Sequence, residues 1–310
     1  MEFCSVGNRE VPLPDLNTEN DFVISTLISW INTTIHKYQI DGIRFDTFRH
    51  IRQSFWREYR RSSNVYSIGE VASSNTSYVG SYQNVADGIL HYPLYYALNA
   101  TFRDDDQSRQ AMFVLERQVQ ENEKYLNDST LCGIFLDNHD QNRFLNATQN
   151  PIRIQNALVY LMFSDGIPIL YMGTEQNFTG NPNVIYGASD PWNREPLWRS
   201  NYDRSKWIFQ YIAQLNQIRS FIKQQYEEEF FVSHQQTMFI DHDTYVYLKG
   251  QILIVISNQP FYRMKFISLP SYLKISSCWK DLLSHRTQCV NRENLLRIND
   301  WLPMILMPIS

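Results

Sequence analysis

No apolar run in the 310 residues approaches the roughly 18 that a membrane-crossing helix needs, and the stretch at 252–256 is far too short. Nor do Lys and Arg cluster. With 28 basic against 32 acidic residues the formal net charge is -4, which gives nucleic acid no electrostatic footprint. The N-terminal Met-Glu-Phe-Cys-Ser-Val-Gly-Asn has neither a basic segment nor an apolar core, so no signal peptide is read there. There is no internal repeat, no low-complexity tract, and no CxxC or Cys/His spacing that would point to zinc. Cysteine is scarce: four residues permit two bridges without requiring any. Cys278 and Cys289 are close in sequence and could pair, whereas Cys132, inside the apolar run 131–136, is expected as a buried thiol.

What is present suits a globular protein. A chain of this length, 43% hydrophobic and 19% charged, accommodates one large domain and a small one. The aromatic share of 14% would serve carbohydrate stacking, although most such rings belong to a core. Six Asn-x-Ser/Thr sequons, at Asn32, Asn75, Asn99, Asn127, Asn146 and Asn177, favour a secretory parent. Val23, Leu27, Trp30, Ile31, Ile35 and Tyr38 recur at helical spacing over 21–39, directly before a strand-like 42–46. Further strands are predicted at 66–71, 85–90, 131–136 and 167–172, and helices at 51–61, 110–125, 153–163 and 205–224. This alternation is that of a parallel sheet with helical crossovers. From about residue 229 the pattern changes to short β-rich runs, among them 245–248, 252–257 and 266–269, as in a separate antiparallel domain.

Three segments carry chemistry: Asp41-Gly-Ile-Arg-Phe-Asp46-Thr-Phe-Arg-His50, Ile68-Gly-Glu70-Val71 and Phe135-Leu-Asp-Asn-His139-Asp140. Each ends a strand-like apolar run with a carboxylate. The period of two puts Arg44 and Asp46 on one face of the first strand, with Ile43 and Phe45 on the other. A guanidinium beside Asp46 keeps it ionised, while burial and a second nearby acid push the proton affinity of Glu70 upward. One ionised and one protonated carboxyl group are the pair that retaining glycoside hydrolysis requires. A single acid at a strand end is most often a turn former or a helix cap. Three in this order mean more.

Together with Leu13-Pro-Asp15-Leu, Tyr82-Gln-Asn-Val-Ala-Asp-Gly and Ser189-Asp-Pro-Trp-Asn-Arg194-Glu, these segments resemble the conserved regions of the α-amylase family, glycoside hydrolase family 13, and its fungal-type members in particular. The resemblance runs from about Glu2 to the C-terminus. It implies an α/β fold: an incomplete (β/α)8 TIM barrel, holding the fourth to eighth strands with their helices, followed by a C-terminal antiparallel β-sandwich domain. The implied domains are a remnant of the excursion domain at 1–20, the C-terminal part of the barrel at 21–225 and the β domain at 226–310.

The same resemblance implies roles. Asp46 would be the nucleophile, Glu70 the acid/base, and Asp140 a third carboxylate that grips sugar hydroxyls as charge develops. Arg44 would hold Asp46 ionised and oriented, and His139 would donate to the same sugar. Arg49 stands where many relatives carry lysine. His50 would offer its ring to substrate and its carbonyl to a calcium ion (Ca2+), with Glu2 and Asp15 as further oxygen donors. Asp190 and Arg194 would hold sugar further out on the donor side. Val-Ala-Ser-Ser after Glu70 lacks the Asp-Gly often found there in fungal enzymes, a departure on the acceptor side. Cys4 matches a half-cystine whose partner belongs to the family's upstream part. The expected activity is retaining endo-hydrolysis of α-1,4 bonds in starch or glycogen by a monomer. It would sit in a secreted or lysosomal/vacuolar setting and have no nucleic acid or membrane partner. One alternative is an inactive truncated remnant that at most binds glucan, since an open five-stranded sheet exposes apolar edges. An α-glucosidase or transglycosylase would use the same carboxylates, but the context at 82–96 and 189–195 argues against it. A non-hydrolytic transporter subunit would need a membrane helix and no catalytic carboxylates.

Overall fold

The computed structural model describes residues 10, 14–107, 109–180, 191–261, 264–270, 278–290, 295–298 and 302–309. Glu2, Cys4 and Asp190 lie outside this set. The chain divides into two compact units, Met1–Pro93 with Glu121–Gly133 and Leu94–Gln120 with Ile134–Ser310.

The elements follow in order as α1 (Asp21–Tyr38), β1 (Gly42–Phe45), α2 (Gln53–Ser63), β2 (Tyr66–Gly69), α3 (Thr76–Gly80), β3 (Gly88–Ile89), α4 (Tyr92–Phe102), α5 (Phe113–Tyr125), β4 (Gly133–Phe135), α6 (Phe144–Ala147), α7 (Pro151–Phe163) and β5 (Ile167–Ile169). This is the alternation expected of a partial (β/α)8 barrel. α1 begins where the Asn20 side chain accepts the amides of Phe22 and Val23, and it ends on Gln39 in a left-handed conformation. In the first unit β1, β2 and β3 form a parallel sheet. Its register pairs Gly42 with Tyr66 and Phe45 with Gly69, and the Glu70 amide adds one more bond, to Phe45 O at 2.9 Å. Asp46 and Glu70 therefore leave adjacent strands at the same height. Beneath them pack Phe45, Phe48, Phe55 and Trp56. A Cβ at position 69 would fall on the Phe48 ring, which is why glycine precedes Glu70.

In the second unit α7 is buried along most of its length, and α8 (Trp207–Tyr226) buries Ile208, Ile212, Leu215, Ile218 and Ile222. After α9 (Glu229–Val232) come the strands β6 (Gln236–Ile240), β7 (Thr244–Lys249), β8 (Ile252–Ser257), β9 (Lys265–Ser268), β10 (Cys278–Asp281), β11 (Thr287–Cys289), β12 (Leu295–Ile298) and β13 (Met304–Pro308). Six of them make an antiparallel sheet in the order β11-β10-β13-β8-β7-β6, and β12 pairs with β9. Alternation along β7 sends Tyr245 and Tyr247 to the core shared with Tyr160 and Leu215, and Val246 and Leu248 to the core around Trp279 and Leu296. A disulfide joins Cys278 to Cys289, and Cys132 is a buried free thiol.

Some expectations shift. Trp30 and Tyr38 share the apolar spacing of α1 yet are 56% and 65% exposed, because only Ile31 and Ile35 of that stripe are buried. The predicted strands shorten, most of all β3. β5 leaves Ile167 and Ile169 exposed, and Leu170 and Met172 after it are exposed too. α4 occupies a stretch that is apolar all round and shows no helical period. No helix among the described residues is long and apolar enough to cross a membrane.

Candidate active site

The first unit brings Arg44, Asp46 and Glu70 together as the strand period and the register dictate. Arg44 Nη1 donates to Asp46 Oδ1 at 2.8 Å, and its Nη2 lies 3.5 Å from Glu70 Oε2. Asp46 is 70% exposed and Glu70 only 14%. Glu70 Oε2 also accepts the Thr47 amide at 3.2 Å, and Oε1 accepts the Tyr92 hydroxyl at 3.3 Å. Thr47 reaches back this way because it is held at φ 48°, a conformation unfavourable for a β-branched residue.

The two carboxyl groups are driven apart in proton affinity. Burial raises Glu70, and the hydrogen bond it shares with Asp46 raises it further, against the pull of Arg44 and Thr47. Burial acts on Asp46 in the same direction but is outweighed by hydrogen bonds from Arg44 and Glu70 and by the Arg44 charge, so Asp46 lies below the ordinary carboxylate range. The proton belongs to Glu70.

Nearby in this unit, Arg49 donates to Ala72 O at 2.7 Å and, through Nε, to His50 Nε2 at 3.3 Å. Burial lowers the proton affinity of His50, and the Arg49 charge lowers it more, against Asp15. Since arginine only donates, the neutral ring carries its proton on Nδ1, which is buried with no hydrogen-bond partner among the described residues. Calcium, as the resemblance implies it, was expected at Glu2, Asp15 and the His50 carbonyl. Among the described residues no three His, Cys, Asp or Glu side chains converge. Asp15 and His50 alone fall short of the roughly six to eight oxygens that calcium takes, so the described residues do not make up its site.

The second unit holds His139, Asp140 and Arg194. Asp140 Oδ2 lies 2.9 Å from His139 Nε2, and Oδ1 accepts Arg194 Nη2 at 3.2 Å. The fully buried Asn193 donates to His139 O at 2.8 Å and to Gln141 O at 2.9 Å, which ties the chain at 191–194 to the turn that carries Asp140. Arg143 is buried as well. Its Nε donates to Glu195 Oε2 at 3.0 Å, its Nη1 to Met172 O at 2.5 Å, and its guanidinium stacks 4.3 Å from the Tyr171 ring centre. Asp137 accepts the Phe144 amide at 3.0 Å and the Thr174 hydroxyl at 3.4 Å, and burial holds its carboxyl up at about 6.

Sequence reasoning missed Thr47, Tyr92, Arg143 and Asn193. Asn193 stood inside a quoted segment between Asp190 and Arg194, and Arg143 three residues beyond Asp140, but neither had a local pattern to mark it. Tyr92 had none at all.

The chain matches the Alpha-amylase family model, described as alpha amylase, catalytic domain, over residues 8–236. It is 30% identical to Alpha-amylase 2 of Schizosaccharomyces pombe over 100% of this chain and 52% of that one. To Alpha-amylase 1 of Lipomyces kononenkoae it is 38% identical over 71% of this chain and 34% of that one. The solved α-amylase of Malbranchea cinnamomea superposes with a TM-score of 0.86 at 30% identity, covering 96% of this chain and 62% of that one. The chain thus spans about half the length, or less, of these curated relatives. With a family model covering most of its residues and all three carboxylate segments inside the match, the chain belongs to the α-amylase family.

Proposed function

We propose that this chain hydrolyses internal α-1,4-glucosidic bonds of an α-glucan such as starch, with retention at the anomeric carbon. One observation carries the reading: two carboxyl groups at the ends of adjacent parallel strands, both beside the Arg44 guanidinium, at 2.8 and 3.5 Å, one held ionised by it and the other raised in proton affinity. Two carboxyls on one guanidinium lie close together, which supports the retaining arrangement, with its shorter carboxyl spacing, over the inverting one. Asp46 attacks the anomeric carbon as Glu70 gives its proton to the departing glycosidic oxygen. Glu70 then takes a proton from water, which displaces Asp46. Thr47 and Tyr92 position Glu70 through their hydrogen bonds to its two oxygens. Asp140, paired with His139 and Arg194, is assigned to sugar hydroxyls, as Asp190 is by resemblance. Arg49 and His50 are assigned to substrate beside Asp46. No step runs through calcium. The six sequons support a secretory or vacuolar setting.

A second reading, glucan binding without turnover, is favoured by the exposed apolar residues of β5 and its end. Reducing-sugar release from soluble starch separates the two. Hydrolysis by the wild-type chain that disappears in Asp46→Asn is expected. Starch binding with no release in either chain would replace the first reading with the second.

A further inference from the structure

The two oxygens of Glu70 are held by groups of different kinds. Oε2 accepts the Thr47 amide at 3.2 Å and lies 3.5 Å from Arg44 Nη2, and both are donors that keep their protons. Oε1 faces the Tyr92 hydroxyl at 3.3 Å. Arg44, Asp46 and Thr47 reach Glu70 from β1 and the turn after it, and Tyr92 from the start of α4.

Tyr92 is fully buried and is fixed from the backbone up. Leu90 N donates to Gly69 O, one residue before Glu70, at 2.9 Å, and His91 N donates to Gly133 O at 2.8 Å. The His91 ring is buried, with Nε2 2.9 Å from Asn122 Oδ1. Burial lowers its pKa to about 4 against the pull of that bond, so the ring stays neutral. The segment that presents Tyr92 is thus pinned to the strand end that presents Glu70. Its hydroxyl has no rearrangement to undergo while the reaction proceeds.

At 3.3 Å the contact is longer than the roughly 2.5–3.0 Å of an ordinary O–H···O bond. A hydroxyl bonded to an anion comes closer and holds roughly twice as strongly as one bonded to a neutral group. We propose that Tyr92 is a positioning residue that acts in the proton transfer itself: its hydroxyl bonds weakly to protonated Glu70 and strongly to the carboxylate left after the proton has gone to the glycosidic oxygen. A bond that strengthens towards the transition state lowers the barrier instead of only holding the ground state. The proton leaving Glu70 goes to the oxygen whose bond to the anomeric carbon breaks, and Glu70 recovers one from the incoming water. Tyr92 keeps its own proton throughout. This role rests on the hydrolytic reading of Asp46 and Glu70; the preference of the hydroxyl for the carboxylate does not.

Two readouts on the full chain test it. One is the titration of Glu70 by carboxyl carbon NMR, assigned with Glu70→Gln. The other is turnover of two substrates: α-maltotriosyl fluoride, whose leaving group needs little protonation, and maltohexaose, whose sugar alkoxide needs it. Tyr92→Phe removes the hydroxyl and keeps the ring, and 3-fluorotyrosine in place of Tyr92 supplies a more acidic phenol and a stronger donor. Unfolding midpoints check that both variants are folded; if Tyr92→Phe is not, the fluorinated ring decides alone. Tyr92→Phe is expected to raise the Glu70 titration by about one pH unit and to slow maltohexaose about tenfold, with the fluoride turned over within about twofold of wild type. The fluorinated ring is expected to move the titration downward. An unchanged titration in Tyr92→Phe, equal loss on both substrates, or an upward move with the fluorinated ring overturns the proposal. If the wild-type chain turns over neither substrate, the hydrolytic reading falls, and the titration still upholds or overturns the Tyr92 preference for the carboxylate.

Discussion

Replacing Asp137 by asparagine should stabilise the protein, and only above a defined pH. Burial lifts the Asp137 carboxyl from its ordinary 3.8 to about 6, against the Phe144 amide, the Arg143 charge and the Thr174 hydroxyl, which pull it down. The folded state therefore binds this proton more tightly than the unfolded chain. Stability contributed at this position is present below pH 4 and is lost as pH climbs through 6. About two pH units at 1.36 kcal/mol each amount to about 3 kcal/mol. Asparagine keeps an acceptor for Phe144 N and gains a donor for Thr174 Oγ1, but carries no charge to desolvate. Urea unfolding of both chains at pH 4 and pH 7.5 is the assay. The variant is expected to match the wild type at the lower pH and to exceed it by up to about 3 kcal/mol at the higher, the Arg143 attraction being already contained in the net rise to about 6. Asp46 and Asp87, held low by Arg44 and by Arg60 with Ser67 despite their burial, contribute with the opposite sign. Their terms are common to both chains and cancel in the difference. A gap of equal size at the two pH values, or a less stable variant at pH 7.5, would refute the reasoning.

Removing the guanidinium with Arg44→Met should raise the proton affinity of both Asp46 and Glu70, since Arg44 lowers each. Both limbs of the pH profile of kcat/KM on a soluble maltooligosaccharide then move to higher pH, and the maximum falls by about 10²–10³, as when one preorganised donor is lost. Arg143→Met leaves Glu195, among the described residues, with the Gly180 amide alone and strips Met172 O of its donor, at a cost of about 3 kcal/mol. Adding Glu195→Met should recover most of that in urea unfolding; a double variant no better than the single one would contradict the buried pair. Among the sequons, Asn99 spends its amide nitrogen on Tyr95 O at 3.1 Å and Leu136 O at 3.0 Å, whereas Asn177 is exposed. Peptide mapping after secretory expression should find a glycan on Asn177 and none on Asn99.

How much of this was legible depends on whether an interaction lies within one element or between two. Arg44 and Asp46 sit two residues apart on one strand, so the pleat alone predicts their contact, and the apolar spacing read at 21–39 and 205–224 marks the helices Asp21–Tyr38 and Trp207–Tyr226. The parallel alternation was equally local. The Phe45–Gly69 register was not, and it is this register that sets the nucleophile candidate beside its acid. Arg143 with Glu195 spans 52 residues, and no local pattern distinguishes a buried arginine from a surface one until its partner is placed. Tyr92 opens a helix whose residues are apolar on every side, so periodicity was silent there, yet its hydroxyl reaches Glu70. Thr47 was hidden for another reason: it takes a left-handed turn between the stacked rings of Phe45 and Phe48, and that turn aims its amide at Glu70. The carboxylates of the candidate site were readable from their own strands. The residues that hold them in place were not, because positioning is a property of contacts between elements, and it is there that substitutions should separate binding and stability from chemistry.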